Sequence, residues 1–319
     1  MSEKYETIVP SEPDAGERLQ WVSWLRSAAP YVHLHHGRTF VISFAGEVVA
    51  DRTLLNHLVM DVSLIASMGM RVVLVHGSRP QIEELMSLRK LEGQFYKGVR
   101  ITGPQELECV KEACGETRFD IEAAFSQGLP NTPMQHSRIK VVSGNFVTAR
   151  PMGIIDGVDY LHTGVVRKVD AESIQDLLSR GNIVLVSPTG FSPTGEAFNL
   201  TTEDVATAIA VAIHADKLIL SVGVDGVRIQ GEKQQDLTAQ QAQALIQSKQ
   251  VDDEDVYNLG YALRAIKGGV DRVHIVPYAM DGGILTELFT HDGVGTMIST
   301  ENMESLREAT IDDVAAIVK

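Results

Sequence analysis

Residues 39–77 read TFVISFAGEVVADRTLLNHLVMDVSLIASMGMRVVLVHG, and two short apolar runs, Thr39–Phe44 and Met70–Val75, bracket a stretch with helical apolar spacing, Leu54–Met68. The runs are β-branched and aromatic, short enough for strands and too continuous for strands wet on one face. The Gly46 turn after the first and His76-Gly77 after the second complete a strand, turn, helix, strand unit. The same theme returns outward along the chain. Ile139–Val142, Ile183–Val186, Leu218–Val222 and Val273–Val276 read as strands, with helices expected at Ala171–Ser179, Glu203–His214 and Leu259–Lys267. Continuous apolar strands alternating with helices specify an α/β architecture whose sheet is largely parallel and covered on both faces. Residues 138–170, RIKVVSGNFVTARPMGIIDGVDYLHTGVVRKVD, break this rhythm with Gly, Asp and β-branched residues and read as β-hairpins inserted in the α/β frame. There is no internal repeat or low-complexity tract.

Composition narrows the functional classes. The chain has 319 residues, and its 28 Lys and Arg against 42 Asp and Glu give a net charge of −14, which argues against nucleic acid as a partner. Hydrophobic residues at 44 % and charged residues at 22 %, with a mean hydropathy of zero, describe an ordinary globular chain. Cys109 and Cys114 are poorly placed for a disulfide on one helix and read as buried small hydrophobes rather than metal ligands in a reducing compartment. No apolar run is long enough to cross a bilayer, and the acidic N-terminus has no signal-peptide core, so a cytoplasmic protein without membrane contact is expected.

Residues 1–17 read as an acidic tail and 18–300 as the domain. Its first helix is expected over Arg18–Ala29, ended by Pro30. Trp21 and Trp24 on that helix read as packing on the chain's own core or, alternatively, as a face toward a partner. Three turns carry small or polar residues just beyond strand ends, where an α/β sheet binds ligands: Ser43–Gly46, His76–Arg79 and Ser187–Gly190.

The order FVISFAGE, VVLVHGSRPQI, FYKGVRIT, FNLTTEDVA, KLILSVGVDGV and ELFTHDGVGT resembles the amino-acid-kinase (carbamate-kinase-like) fold of acetylglutamate kinases. The segment VVSGNFVTARPMGIIDGVDYLHTGVVRKVD is still more similar to the kinase-like half of bacterial N-acetylglutamate synthases. The departures separate the two relatives. Kinase chemistry in this fold uses two lysines on the transferring phosphate, and their matching positions here are Ser43 and Asn258, with the organising acid at Glu203. The resemblance therefore implies no catalytic residue in this chain.

Arg100 and Asn199 match a carboxylate-binding pocket of the kinases. They read equally as a structural salt bridge and as a cap on the helix from about Thr201. Arginine-sensitive relatives bind L-arginine near the C-terminal end of the fold. The resemblance implies that Lys217 meets the ligand carboxylate, Glu287 pairs a ligand cation, Gly293 and Gly295 bring main chain close, Tyr31 closes the site and His274 lies beside it. It also implies dimers through the sheet and hexamers through the N-terminal helix. Residues 301–319, with SLREATIDDVA, resemble a linker and the opening of a GNAT-type acetyltransferase domain. The implied activity is arginine-inhibited acetyl transfer from acetyl-CoA to L-glutamate, with no cofactor bound by these residues. The alternatives are an active ATP-dependent acylamino-acid kinase and a stand-alone arginine-binding module.

Overall fold

The computed structural model describes residues 15–127 and 139–300. The expected acetyltransferase opening at 301–319, and all of the expected tail except residues 15–17, lie outside the described residues. In chain order the first part comprises α1 (Ala15–His35), β1 (Thr39–Phe44), α2 (Gly46–Ala50), α3 (Arg52–Ser67), β2 (Arg71–His76), α4 (Arg79–Leu88), β3 (Gln94–Tyr96), β4 (Val99–Ile101) and α5 (Pro104–Ser126). The middle part runs through β5 (Val141–Ser143), β6 (Val147–Pro151), β7 (Ile154–Ile155), β8 (Val158–Asp159), β9 (Gly164–Val169), α6 (Ala171–Ser179), β10 (Ile183–Val186), β11 (Thr189–Phe191), β12 (Ala197–Asn199), α7 (Thr202–Ala212) and β13 (Lys217–Val222). The last part holds β14 (Arg228–Ile229), β15 (Glu232–Lys233), β16 (Asp236–Thr238), α8 (Ala239–Ser248), α9 (Asp253–Lys267), β17 (Arg272–Pro277), α10 (Gly283–Phe289) and β18 (Thr296–Ser299).

The apolar strands assemble into one eight-stranded sheet in the order β16-β18-β17-β13-β1-β2-β10-β5, in which only the β17–β18 pair is antiparallel. Successive side chains of a strand point to opposite faces. Val41, Val73, Val75, Leu218 and Leu220 accordingly pack into one core with α6, α7 and α9, and Phe40, Ile42, Phe44, Val72 and Ile219 into the other with α3 and α10. Every residue of β1 is buried, which is what its unbroken apolar run requires. The expected hairpins are present: β6 pairs with β9 and β7 with β8, both antiparallel, and β11 and β12 join β6 and β9 in a four-stranded satellite sheet.

Boundaries follow the capping chemistry. The Asp51 carboxylate accepts from the N–H groups of Thr53 (2.7 Å) and Leu54 (3.2 Å) and so starts α3. Asp252 caps α9, which carries three acids in its first turn and Arg264 and Lys267 in its last, matching the helix dipole at both ends. That cap places the start of α9 six residues ahead of the expected Leu259.

The first helix departs most from expectation. It continues through Pro30 to His35, because its last turn is held by tertiary contacts: His35 Nε2 bonds the Leu288 carbonyl at 3.0 Å, and its ring meets Phe40 and Phe289 edge-on. Its N-terminal half does not pack on the chain's own core. Trp21 and Trp24 are 66 % and 51 % exposed, with Leu19, Val22 and Leu25 exposed beside them. Among the described residues the own-core reading of the two tryptophans is thereby corrected, and that apolar face stays exposed.

Candidate functional site

Two polar assemblies lie on the sheet, at separate places. The first is a cleft of about 610 Å³ beyond the carboxyl ends of the central strands. β1, β2 and β10 are neighbours in the sheet, so the three turns picked out in the sequence converge: Ala45, Gly46, Gly77, Ser78, Arg79 and Pro188 all line the cleft. Two of these turns touch. A Cβ on Gly77 would stand 2.8 Å from the Gly46 nitrogen, so only glycine permits that approach. Beneath them His76 is fully buried, with Nε2 2.8 Å from Ser187 Oγ and Nδ1 3.2 Å from Ser78 Oγ. Burial lowers its pKa to about 4, so it is a neutral structural group at physiological pH.

Arg100 and Asn199 both line this cleft, and their local roles are now defined. Arg100 Nη2 lies 3.2 Å from Glu83 Oε1 and its guanidinium stacks 4.6 Å from the Phe95 ring centre, so the salt-bridge reading holds while the residue also faces the cleft. Asn199 does not cap α7. Its Nδ2 donates to Thr102 Oγ1 at 3.0 Å, tying β12 to the residue that follows β4, and the cap position is taken by Thr201 without a side-chain bond. Asn258 and Glu203 also line the cleft, whereas Ser43 is buried within β1. Arg79 and Arg100 are the only Lys or Arg side chains among the described lining residues.

The second assembly brings together Lys217 of β13, His274 of β17 and Glu287 of α10. Lys217 Nζ lies 3.2 Å from His274 Nε2, and His274 Nδ1 lies 2.6 Å from Glu287 Oε1. The neighbours assign the tautomer: a neutral imidazole accepts from the ammonium at Nε2 and donates Nδ1–H to the carboxylate. Burial and the adjacent Lys217 lower the His274 pKa to about 4. Burial and the nearby Arg272 lower that of Lys217 to about 8. Burial by itself would raise Glu287. The His274 hydrogen bond and two main-chain donors outweigh it and bring the carboxyl down to about 2.

Those donors explain the GVGT motif. Glu287 Oε2 accepts from the N–H groups of Val294 (2.7 Å) and Gly295 (2.9 Å). Gly293 turns the chain at φ +62°, and a Cβ there would meet Glu287 Oε2 at 2.5 Å; one on Gly295 would meet the Ile275 carbonyl at 2.1 Å. Lys233 pins the turn from the other side, donating to the Val294 carbonyl at 2.7 Å. Three of the roughly four lone-pair sites of the Glu287 carboxylate are thus filled, which leaves acceptor capacity on Oε1. Tyr31 packs against the cluster that holds Ile284, Leu288 and Phe289, beside this assembly and without a polar contact to it among the described residues. Sequence reasoning missed His35, Lys233 and Tyr257. No local motif marks them, since each acts through a partner 54 or more residues away.

Among the described residues no cluster of His, Cys, Asp and Glu is arranged to hold a metal, and no helix is long and apolar enough to cross a membrane. Residues 38–277 match the amino acid kinase family. An amino-acid acetyltransferase of Ralstonia nicotianae is 54 % identical over 308 residues, covering 96 % of this chain and 68 % of that protein. The structure of N-acetylglutamate synthase from Neisseria gonorrhoeae complexed with coenzyme A and L-arginine superposes with a TM-score of 0.82 at 35 % identity, over 93 % of this chain and 70 % of that one. Carbamate kinase from Giardia lamblia, at 14 % identity and a TM-score of 0.64, shares the fold alone. The chain belongs to the amino acid kinase family and, within it, to the amino-acid acetyltransferases that make up the N-acetylglutamate synthases.

Proposed function

We propose that these residues form the arginine-sensing, kinase-like part of a cytoplasmic N-acetylglutamate synthase of arginine biosynthesis. The whole enzyme moves an acetyl group from acetyl-CoA to the α-amino group of L-glutamate, and residues 301–319 open the domain that does so. The observation that carries the sensing role is the buried Lys217, His274, Glu287 array closed by the 293–295 turn. A carboxylate with spare acceptor capacity and a lysine ammonium on one assembly suit the two ends of an amino acid whose side chain is a cation. The arginine complex of the Neisseria enzyme supports the same ligand.

L-arginine is therefore expected to stabilise the fold by mass action, by about 2.7 kcal/mol at a hundredfold excess over its dissociation constant. Lysine and citrulline are expected to act poorly, because neither an ammonium nor a neutral urea reproduces the planar guanidinium fork. Calorimetry that finds citrulline equal to arginine would remove the ligand assignment.

The kinase alternative fares worse. At the positions where the resemblance implies the kinase lysines stand Ser43, buried within β1, and Asn258, a buried amide that lines the cleft, and neither supplies the cation that phosphoryl transfer needs. No ATP-dependent phosphorylation of N-acetylglutamate is expected, and ADP release near the enzymatic median of about 10 per second would revive that reading.

We assign the exposed face of α1, with Trp21 and Trp24, to self-association into a dimer or hexamer. Deleting residues 1–30 is expected to lower the oligomer to a smaller folded species. An unchanged mass by light scattering would leave that face without a role in assembly.

A further inference from the structure

The turn at residues 293–295 is gripped from two sides, and the two grips meet on one peptide unit. The Val294 carbonyl and the Gly295 N–H belong to the same planar trans amide, so they point in opposite directions. On one side the Gly295 N–H donates to Glu287 Oε2 at 2.9 Å, and on the other the Val294 carbonyl accepts from Lys233 Nζ at 2.7 Å. A cation on the carbonyl polarises the amide and strengthens the bond that its N–H makes to the carboxylate. Glycine at 295 has no Cβ to oppose rotation of that unit, and a rotated unit would turn its carbonyl toward Glu287 in place of its N–H.

The β14–β15 hairpin is arranged around this contact. Arg228 and Lys233 stand directly opposite each other in its ladder, a pairing of like charges that costs stability. Arg228 is matched by Asp225, whose two oxygens take Nε at 3.1 Å and Nη2 at 2.7 Å, and its Nη1 closes the hairpin on the Gly231 carbonyl at 2.6 Å. With that carboxylate taken, the partly buried Lys233 gives its ammonium to a main-chain carbonyl instead. Fully buried Thr296 fixes the spacing: its Oγ1 accepts from the Val227 N–H at 2.9 Å and donates to the Gln234 carbonyl at 2.5 Å. A Cβ on Gly226, at φ +118°, would stand 2.7 Å from the same oxygen and 3.4 Å from Lys233 Cδ. The Arg228 N–H donates to Asp255 Oδ2 at 3.3 Å and so moors the hairpin to the first turn of α9.

We propose that Lys233 is a positioning residue of the ligand site: its ammonium fixes the orientation of the 294–295 amide, which keeps Glu287 turned so that the oxygen with spare acceptor capacity faces His274 and the ligand. The proposal rests on reading the Glu287 assembly as the seat of an amino acid with a cationic side chain, and it adds the group that holds the carboxylate in place. Lys233 itself touches no ligand. Its effect passes through one amide, because a Glu287 carboxylate that loses the Gly295 donor is free to turn and meets the guanidinium fork out of line.

Two measurements on the 319-residue chain test this: calorimetry with L-arginine, and hydrogen exchange of the Val294 and Gly295 amides without ligand. Lys233→Met keeps the length of the side chain and removes its donors. It is expected to speed exchange at Gly295 and to weaken L-arginine by about tenfold each, the worth of one charge-assisted hydrogen bond. Lys233→Arg, which restores a cation, is expected to bring both back toward the parent values. Amides of β1 serve as the control, since a loss of global stability speeds them as well. Affinity and exchange both unchanged in Lys233→Met overturn the proposal. Faster exchange with unchanged affinity makes Lys233 a brace of the fold with no part in the ligand site, and overturns it equally. If the parent itself binds no L-arginine, the ligand reading of the Glu287 assembly falls, while exchange at Gly295 still decides whether Lys233 orients the turn.

Discussion

Glu287→Gln is expected to abolish most of the arginine-induced rise in melting temperature and to destabilise the unliganded protein as well. The amide oxygen can still accept from Val294 and Gly295, but its NH2 then faces the His274 Nδ1–H, donor against donor. Flipping the imidazole tautomer only moves the conflict to Nε2, which lies 3.2 Å from the Lys217 ammonium. Either way Lys217, with 6 % of its surface exposed, loses the acid that balances it through the ring. Breaking a buried charge array by removing one partner costs roughly 3–5 kcal/mol. At about 2–4 °C per kcal/mol the melting point should fall by on the order of 10 °C. Scanning calorimetry with and without L-arginine separates the two effects. An undiminished arginine response in the variant would show that Glu287 does not hold the ligand, whatever its structural role.

A second large effect is expected at Asp61, which faces the start of α10 from α3. The residue is 6 % exposed, and its carboxylate accepts main-chain bonds from Ile284 and Leu285. Gly282, at the head of α10, adopts φ +67° and has no side chain to cap the helix, so Asp61 supplies the cap from another element. Burial and the neighbouring Asp281 raise its pKa from 3.8 to about 7. The folded protein therefore holds a proton that the unfolded chain has released between those values. Its contribution to stability is fully present below about pH 4 and is lost as the pH rises through about 7. The gap corresponds to on the order of 4 kcal/mol as an upper bound. Asp61→Asn keeps an acceptor for α10 without the charge. The variant is expected to melt several degrees higher than the parent at pH 8 and level with it at pH 4. Equal melting points across that range would show that Asp61 is ionised at no cost in the folded state.

The elements that were legible in sequence share one physical property, that burial on both faces leaves a one-dimensional signature. β1 and β10 fall where their apolar runs begin and end, and α6 coincides with the expected Ala171–Ser179. The hairpins of residues 138–170 were legible from composition, and the strand expected at Ile139–Val142 is met by β5, which joins the main sheet as its edge strand. Pro30 misled because a proline signals only the local cost of an interrupted helix. The contacts of His35 with Leu288, Phe40 and Phe289 outweigh that cost and come from residues distant in sequence. Asn199 misled in the same way: two residues ahead of Thr201 it resembles a cap, until Thr102, 97 residues earlier, takes its amide.

The amino-acid sequence by itself determined the alternation of buried strands and helices, the parallel sheet and the family, because each is written in residue type and spacing. Tertiary structure decided how charge is distributed. Only the adjacency of β13 and β17, with α10 lying across them, joins Lys217, His274 and Glu287 into one array. Only the convergence of α2, α7 and α9 on the cleft leaves Glu203 without an ion pair and Asn258 Nδ2 without an acceptor among the described residues. Electrostatic energy depends on distance in space and on burial, and neither is fixed until the chain has closed on itself.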